Sequence, residues 1–151
     1  MTLYFVNPRL AFGSKVRTKK HVERLRALGI THVMNLRFRQ LRRLRAFRTL
    51  WLGFPDNAKP RPAWFYRRAL KFYRKAMKEP DAKVFVMCRG GLCRSPSMVY
   101  FLLRTSGLDP KKAEAVVIQT RPRARVGRAY RESAEEFLQR FELKGASERP
   151  K

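Results

Sequence analysis

The stretch KVFVMCRGGLCRSPS, residues 83–97, constrains the fold more than any other part of the chain. Glu79-Pro80-Asp81 breaks what precedes it, and Val84 to Met87 are β-branched, aromatic or long apolar residues, the pattern of a central strand. A loop containing Gly90 and Gly91 follows, and from Ser95 or Pro96 a helix begins that is apolar nearly all round through Met98, Val99, Tyr100, Phe101, Leu102 and Leu103, ending at Gly107. An apolar strand joined so directly to an apolar helix predicts a helix buried deep in the fold.

The rest of the chain repeats the alternation. Leu3 to Val6 predicts an edge strand broken by Asn7-Pro8. Thr18 to Leu28 spaces Val22, Leu25 and Leu28 as one helical face, capped by Gly29, and Ile30 to Leu36 reads as a buried strand. Phe38, Leu41, Leu44 and Phe47 recur every three residues among arginines, which predicts an amphipathic helix or turn over 37–48. A short strand over Thr49 to Phe54, a proline-broken loop DNAKPRP and a long helix from Pro62 to Lys78 come next. Asp109-Pro110 opens a helix to Thr120, RPRARVGR is an irregular basic link, and a last helix over Ala129 to Leu143 buries Ala134, Phe137, Leu138 and Phe141. The expected fold is α/β: a central, mostly parallel sheet of four to five strands flanked by helices on both faces.

At 151 residues and 44% apolar composition, residues 1–143 are expected to form a single domain with a real core, and 144–151 a flexible basic tail. Thirty-six Lys and Arg against 11 Asp and Glu leave a net charge of +25, which points to a polyanionic partner. No run approaches the ~20 apolar residues that span a bilayer, and the N-terminus lacks the apolar core of a signal peptide. Cys88 and Cys93 are too close in sequence to staple a fold, which argues for a reducing compartment, by default the cytoplasm. With only His21 and His32 beside them, their spacing matches no common zinc set, so no metal and no cofactor is expected.

The glycine loop at the helix start is a phosphate cradle, because its backbone amides can turn inward around an anion. A thiol placed there is held as a thiolate at neutral pH and can attack phosphorus, which makes Cys88 the candidate nucleophile. Arg94 can hold two phosphate oxygens at once, Ser95 can donate to the departing sulfur, and Arg89, Gly90, Gly91, Leu92 and Cys93 supply the amides.

Cys88-x5-Arg94-Ser95, with Gly91 third after the cysteine, resembles the C-x-x-G-x-x-R-[ST] signature of the cysteine-based protein tyrosine phosphatases. Chain order selects the compact dual-specificity branch, which carries its acid on a loop about thirty residues ahead of the cysteine. Asp56 in GFPDNAKP stands 32 residues before Cys88, and LRALGITHVMNLR looks like that branch's helix-Gly-Ile-strand segment. The resemblance implies a metal-independent phosphatase in which Cys88 forms a phosphocysteine, Asp56 is general acid and then base, and Arg94 and the loop amides stabilise the transferring phosphoryl group. Most of that family has His before the cysteine, where this chain has Met87. Cys93, inside the loop, reads either as packing or as a reversible disulfide partner that protects Cys88 from oxidation.

Arg89 within the loop, together with the overall charge, tilts the expected substrate toward highly anionic phosphates. A phosphoprotein, a phosphoinositide and an RNA 5′-triphosphate all stay open, as does nonspecific contact with nucleic acid through the basic surface. Two rivals stand beside the enzyme: a catalytically inactive fold that binds a phosphorylated partner or nucleic acid, and a rhodanese-type sulfurtransferase, which the seven-residue C-x5-R loop disfavours.

Overall fold

The structure, a computed structural model, describes residues 1–143, so the expected basic tail lies outside the described residues. Five strands, β1 (Leu3–Asn7), β2 (Leu10–Gly13), β3 (His32–Asn35), β4 (Arg48–Trp51) and β5 (Val84–Met87), form one sheet in the order β1-β2-β5-β3-β4. β1 pairs antiparallel with β2, and every other pair is parallel. The helices are α1 (Lys19–Ala27), α2 (Ala63–Met77), α3 (Arg94–Thr105), α4 (Pro110–Thr120) and α5 (Arg128–Phe137).

The central strand explains the two layers. Val84 and Val86 point into the larger core with α2, α3, α4 and α5, while Phe85 and Met87 point the other way, against Leu25 of α1 and Leu44. All four are fully buried, and side chains of this kind contribute about 1.5–3 kcal/mol each on burial. A strand covered on both faces reads as a continuous apolar run, which is why VFVM was legible. Met87, where His was expected from the resemblance, packs into the α1-side core.

Local chemistry sets the helix starts. Thr18 accepts the His21 amide at 3.2 Å ahead of α1, and Asp109 accepts the Lys112 amide at 2.8 Å ahead of α4, with Pro110 at the first helical position. Pro96 falls within the first turn of α3, where a missing N–H breaks no helical bond. Arg104 of α3 donates to both carboxylate oxygens of Glu135 on α5, at 2.6 and 2.9 Å, and Tyr100 donates to the same carboxylate at 2.6 Å. Among the described residues no helix is long and apolar enough to cross a membrane.

Several expectations need correction. The reading of a single strand followed by a helix missed β2: LAFG is four fully buried residues with no alternation, ended by a glycine. Of the helix or turn expected over 37–48, the chain forms a short 3-10 turn, Arg42–Ala46; Leu44 and Phe47 are buried as its period implies, but Phe38 is 69% exposed, because the chain leaves β3 through a bend over 37–39. β4 runs Arg48–Trp51 rather than 49–54, after which Leu52 and Phe54 direct their amides to the carbonyls of Asn35 and Leu36. At the C-terminal end α5 loosens into a π-helical turn, Leu138–Leu143, and Phe141 rotates out to lie under the Arg67 guanidinium, 5.0 Å from its ring centre, instead of joining the buried face.

Candidate active site

The loop 88–93 leaves the C-terminal end of β5, the middle of three adjacent parallel strands, which is where open α/β sheets place their ligands. The carbonyls of residues 89 to 92 turn away from its centre. The Arg89 carbonyl accepts from the Lys15 amide at 3.1 Å, and the Leu92 carbonyl accepts from the Arg125 amide at 2.9 Å. Nη1 of Arg121 reaches both the Gly90 and Gly91 carbonyls, at 3.1 and 3.0 Å. In a trans peptide the N–H points opposite to the C=O, and no described peptide bond is cis, so the amides of residues 90 to 93 face inward. Gly91 makes this turn with φ +70°, and a Cβ there would meet a Gly13 backbone carbon at 2.7 Å.

Cys88 is buried at the bottom of the bowl. Its Sγ accepts the Gly91 amide at 3.2 Å and lies 3.2 Å from Ser95 Oγ, which also donates to the Gly13 carbonyl at 3.3 Å. The Cys88 amide donates to that same Gly13 carbonyl at 3.3 Å, so the end of β2 fixes the floor of the bowl. α3 begins at Arg94 with no side-chain cap on its first amides, which leaves a helix N-terminus directed at the loop. Among the described residues no cluster of three or more His, Cys, Asp or Glu gathers to hold a metal ion.

Arg94 Nη1 donates to the carbonyls of Phe54, at 2.8 Å, and Leu36, at 3.3 Å. The Phe54 bond ties the start of α3, and with it the loop 88–93, to the segment that carries Asp56. Phe54 is itself wedged edge-on between Phe65 and Tyr130, with centroids at 5.2 and 5.4 Å, and Arg61 lies 4.7 Å over its ring. Beyond it Asp56 is exposed, and its Oδ1 accepts from the Tyr130 hydroxyl at 3.0 Å. That hydroxyl also accepts the Ala58 amide at 3.2 Å, which latches a turn where Ala58 adopts φ 56°, unusual for a residue with a side chain. Burial first, and then the Asp56 carboxylate beside it, push the Tyr130 phenol above its ordinary range.

The structure therefore brings Cys88, Gly91, Arg94 and Ser95 together, and it sets Asp56 beside the loop rather than in hydrogen-bond contact with Cys88. Asp56, Cys93, Arg125 and Tyr130 share one open pocket of ≈ 530 Å³. Both cysteines are free. Cys93 Sγ faces α5: a Cβ added at Gly127 would lie 3.1 Å from it. Arg89 and Gly90 are exposed at the rim, and Leu92 is 37% exposed on the outside of the loop. Sequence reasoning missed Arg121 and Tyr130. The first lies in the segment read as an irregular basic link and the second on a helix read only for its apolar face. Gly13 was missed with β2.

The family model described as a Swiss Army Knife protein, DSP-PTPase phosphatase domain, matches residues 2–137. Among solved structures, Tk-PTP in its active form is 23% identical, with 91% of this chain and 97% of that chain covered and a TM-score of 0.76. PTPMT1 in complex with PI(5)P is 18% identical over 96% of this chain and 98% of that one, at 0.80. The human tyrosine phosphatase-like serine/threonine/tyrosine-interacting protein is 23% identical over 91% and 95%, at 0.74. These likenesses establish a shared fold. With the family model spanning nearly the whole described chain, and the cysteine, glycine, arginine and serine of its loop folded into one bowl, the chain belongs to the DSP-type branch of the cysteine-based phosphatases, in the family named PTP-SAK.

Proposed function

We propose that this chain hydrolyses phosphate monoesters through a phosphocysteine. The supporting observation is the cradle itself: the carbonyls of residues 89 to 92 are each held outward by a named donor, while Cys88 Sγ receives the Gly91 amide at 3.2 Å. Inward amides stabilise the negative charge of a transferring phosphoryl group before it arrives, which is the largest expected catalytic contribution.

In the first step the Cys88 sulfur attacks phosphorus, the S–P bond forms as the P–O bond breaks, and Asp56 delivers a proton to the leaving oxygen. In the second, water attacks the phosphocysteine, Asp56 takes the water proton, and the sulfur leaves as thiolate toward the Ser95 hydroxyl. Atoms and charge balance in both steps with the chain's own residues. Arg94 clamps the phosphoryl oxygens, and Arg89 at the rim favours highly anionic substrates. A nucleophilic thiol must stay reduced, which suits the cytoplasm, and Cys93, whose Sγ faces Gly127 at the start of α5, packs the outside of the loop.

A second reading, phosphate binding without turnover, is favoured by the engagement of Asp56 with Tyr130. Hydrolysis of p-nitrophenyl phosphate in the presence of a chelator, abolished in Cys88→Ser and slowed about 10²–10⁴-fold in Asp56→Ala, supports the enzyme. Turnover that survives Cys88→Ser removes it, and absence of turnover in the wild type leaves the binding module.

A further inference from the structure

Away from the cysteine loop the sheet ends on an open edge. β4 is the last strand in the order β1-β2-β5-β3-β4, and Arg48, Thr49 and Trp51 on it are exposed. Arg48 and Leu52 send their amides to the Thr31 and Asn35 carbonyls of the β3 side. By alternation, Thr49 and Trp51 turn their amides and carbonyls away from the sheet, and these four groups have no partner among the described residues. The other edge differs: β1 is half-buried throughout, and α4 packs beside it.

An open groove of ≈ 910 Å³ lies along the β4 edge. One wall holds Arg42 and Arg45 of the 3-10 turn, which Thr49 anchors by donating its hydroxyl to the Leu44 carbonyl at 2.9 Å; Arg68 of α2 stands on the other. Leu50 packs against the larger core on the α2 side. Trp51, 41% exposed, falls on the side of the turn with Thr49, and its indole N–H is tied to the Arg37 carbonyl at 2.7 Å. No Asp or Glu lines the groove, and Arg42, Arg45 and Arg68 enter no ion pair among the described residues.

We propose that this edge docks an extended acidic segment of a partner protein, which adds a strand beside β4 and turns alternate carboxylates toward Arg42 and Arg45. The proposal goes beyond the phosphatase reading and does not rest on it. Backbone and charge select the occupant together. An added strand meets the Thr49 and Trp51 groups with donors and acceptors alike, whereas phosphate oxygens only accept and would leave both carbonyls unanswered. Basic side chains on an edge keep like strands apart, and a second copy of β4 would set arginine against arginine. The same charge admits a strand that carries carboxylates, which a guanidinium holds by two hydrogen bonds at once. Because side chains alternate along a strand, the residues facing the turn are acidic and those facing Leu50 apolar.

The test uses the full chain carrying Trp64→Phe, so that fluorescence reports Trp51 alone. Three probes are titrated at physiological salt: a blocked peptide Glu-Val-Glu-Val-Glu, the same peptide N-methylated at every residue, and single-stranded oligouridylate. The first should bind and slow hydrogen exchange at the Thr49 and Trp51 amides. The methylated peptide, with the same charge but no amide donors, should bind at least about tenfold more weakly, a loss of about 1.4 kcal/mol. Arg42→Ala with Arg45→Ala should weaken the first peptide about tenfold with an unchanged Tm, while Lys71→Ala with Lys75→Ala, exposed on α2, should leave its affinity as it is. Absence of binding overturns the proposal. So does equal affinity for the methylated peptide, or an equal loss from the lysine pair, because charge alone then binds. Tighter binding of oligouridylate that quenches Trp51 and leaves the two amides unprotected gives the groove to nucleic acid, and protection that rises with protein concentration in the absence of peptide gives it to a second copy; either result overturns the assignment.

Discussion

Arg121→Met tests whether the bowl is held open from outside. The substitution keeps an unbranched stem against Tyr4, whose ring lies 5.1 Å from the guanidinium carbon, and removes the Nη1 bonds to the Gly90 and Gly91 carbonyls at 3.1 and 3.0 Å. Charged hydrogen bonds contribute about 1.5–3 kcal/mol each, but these are partly exposed and share one nitrogen, so about 1.5 kcal/mol in total is expected, a fall in Tm of about 3–6 °C for a chain this size. Catalysis should suffer more. The Gly91 amide stays pinned to Cys88 Sγ at 3.2 Å, but the Leu92 amide belongs to the peptide whose carbonyl Arg121 releases. Once that peptide can rotate, one oxyanion donor is lost, and a single such donor is worth about 10²–10³ in kcat. Steady-state hydrolysis of p-nitrophenyl phosphate gives kcat, and inhibition by vanadate, which mimics pentacoordinate phosphorus, should weaken in parallel. Arg121→Lys should recover part of the loss, since an ammonium can still reach one carbonyl. A lowered Tm with kcat within threefold of the wild type would refute the reasoning.

Gly91→Ala should abolish turnover and destabilise the fold, because its Cβ would collide with Gly13 at 2.7 Å and with Arg121 at 2.9 Å, whereas Gly90→Ala, whose nearest contact is Leu92 at 3.8 Å, should retain both; equal behaviour in melting and activity assays contradicts the loop geometry. Tyr130→Phe removes the hydroxyl that holds Asp56 and Ala58, and should lower kcat about tenfold with KM nearly constant, a fraction of the ~10²–10⁴ that a general acid supplies; an effect confined to KM would mean that the latch orients substrate instead. The Arg104 hydrogen bond depresses the Glu135 carboxyl below its usual 4.5, so its contribution to stability is complete above that value and is lost as the pH falls through the lower native one. Glu135→Gln should therefore flatten the acid limb of a chemical-denaturation series below pH about 4.5, and an unchanged limb would assign acid unfolding to other carboxylates.

The parts of the fold that could be read in the sequence are those whose period or punctuation is unambiguous. VFVM is buried on both faces and shows it, and Asp109-Pro110 marks a helix start by chemistry that acts within three residues. β2 could not be read, because Leu10 to Gly13 owe their extended form to pairing with β5, more than seventy residues away, and carry no alternation of their own. Phe38 and Phe141 misled for the opposite reason. Each falls on a helical period, yet the backbone at Phe38 leaves the periodic path after β3, and at Phe141 the helix widens.

The site divides along the same line. Cys88, Gly91, Arg94 and Ser95 fall within eight consecutive residues, so their chemistry survives in a one-dimensional reading. The groups that give the loop its shape are remote in sequence, with Gly13 and Lys15 on one side and Arg121 and Arg125 on the other, and in a chain with 36 basic residues nothing distinguishes a structural arginine from a solvated one. Arg121 and Arg37 show why the distinction is physical rather than statistical. The first spends its charge on peptide carbonyls and turns the amides of the bowl inward. The second has its backbone fixed by Asn35 and Trp51, while its guanidinium makes no ion pair among the described residues. Two arginines of the same type thus do different work: one directs its donors to loop carbonyls to shape the cradle, and the other makes no ion pair among the described residues. Charge-matched substitutions separate these roles, because Arg37→Lys keeps the field at the rim, whereas Arg121→Lys forfeits one of two carbonyl bonds.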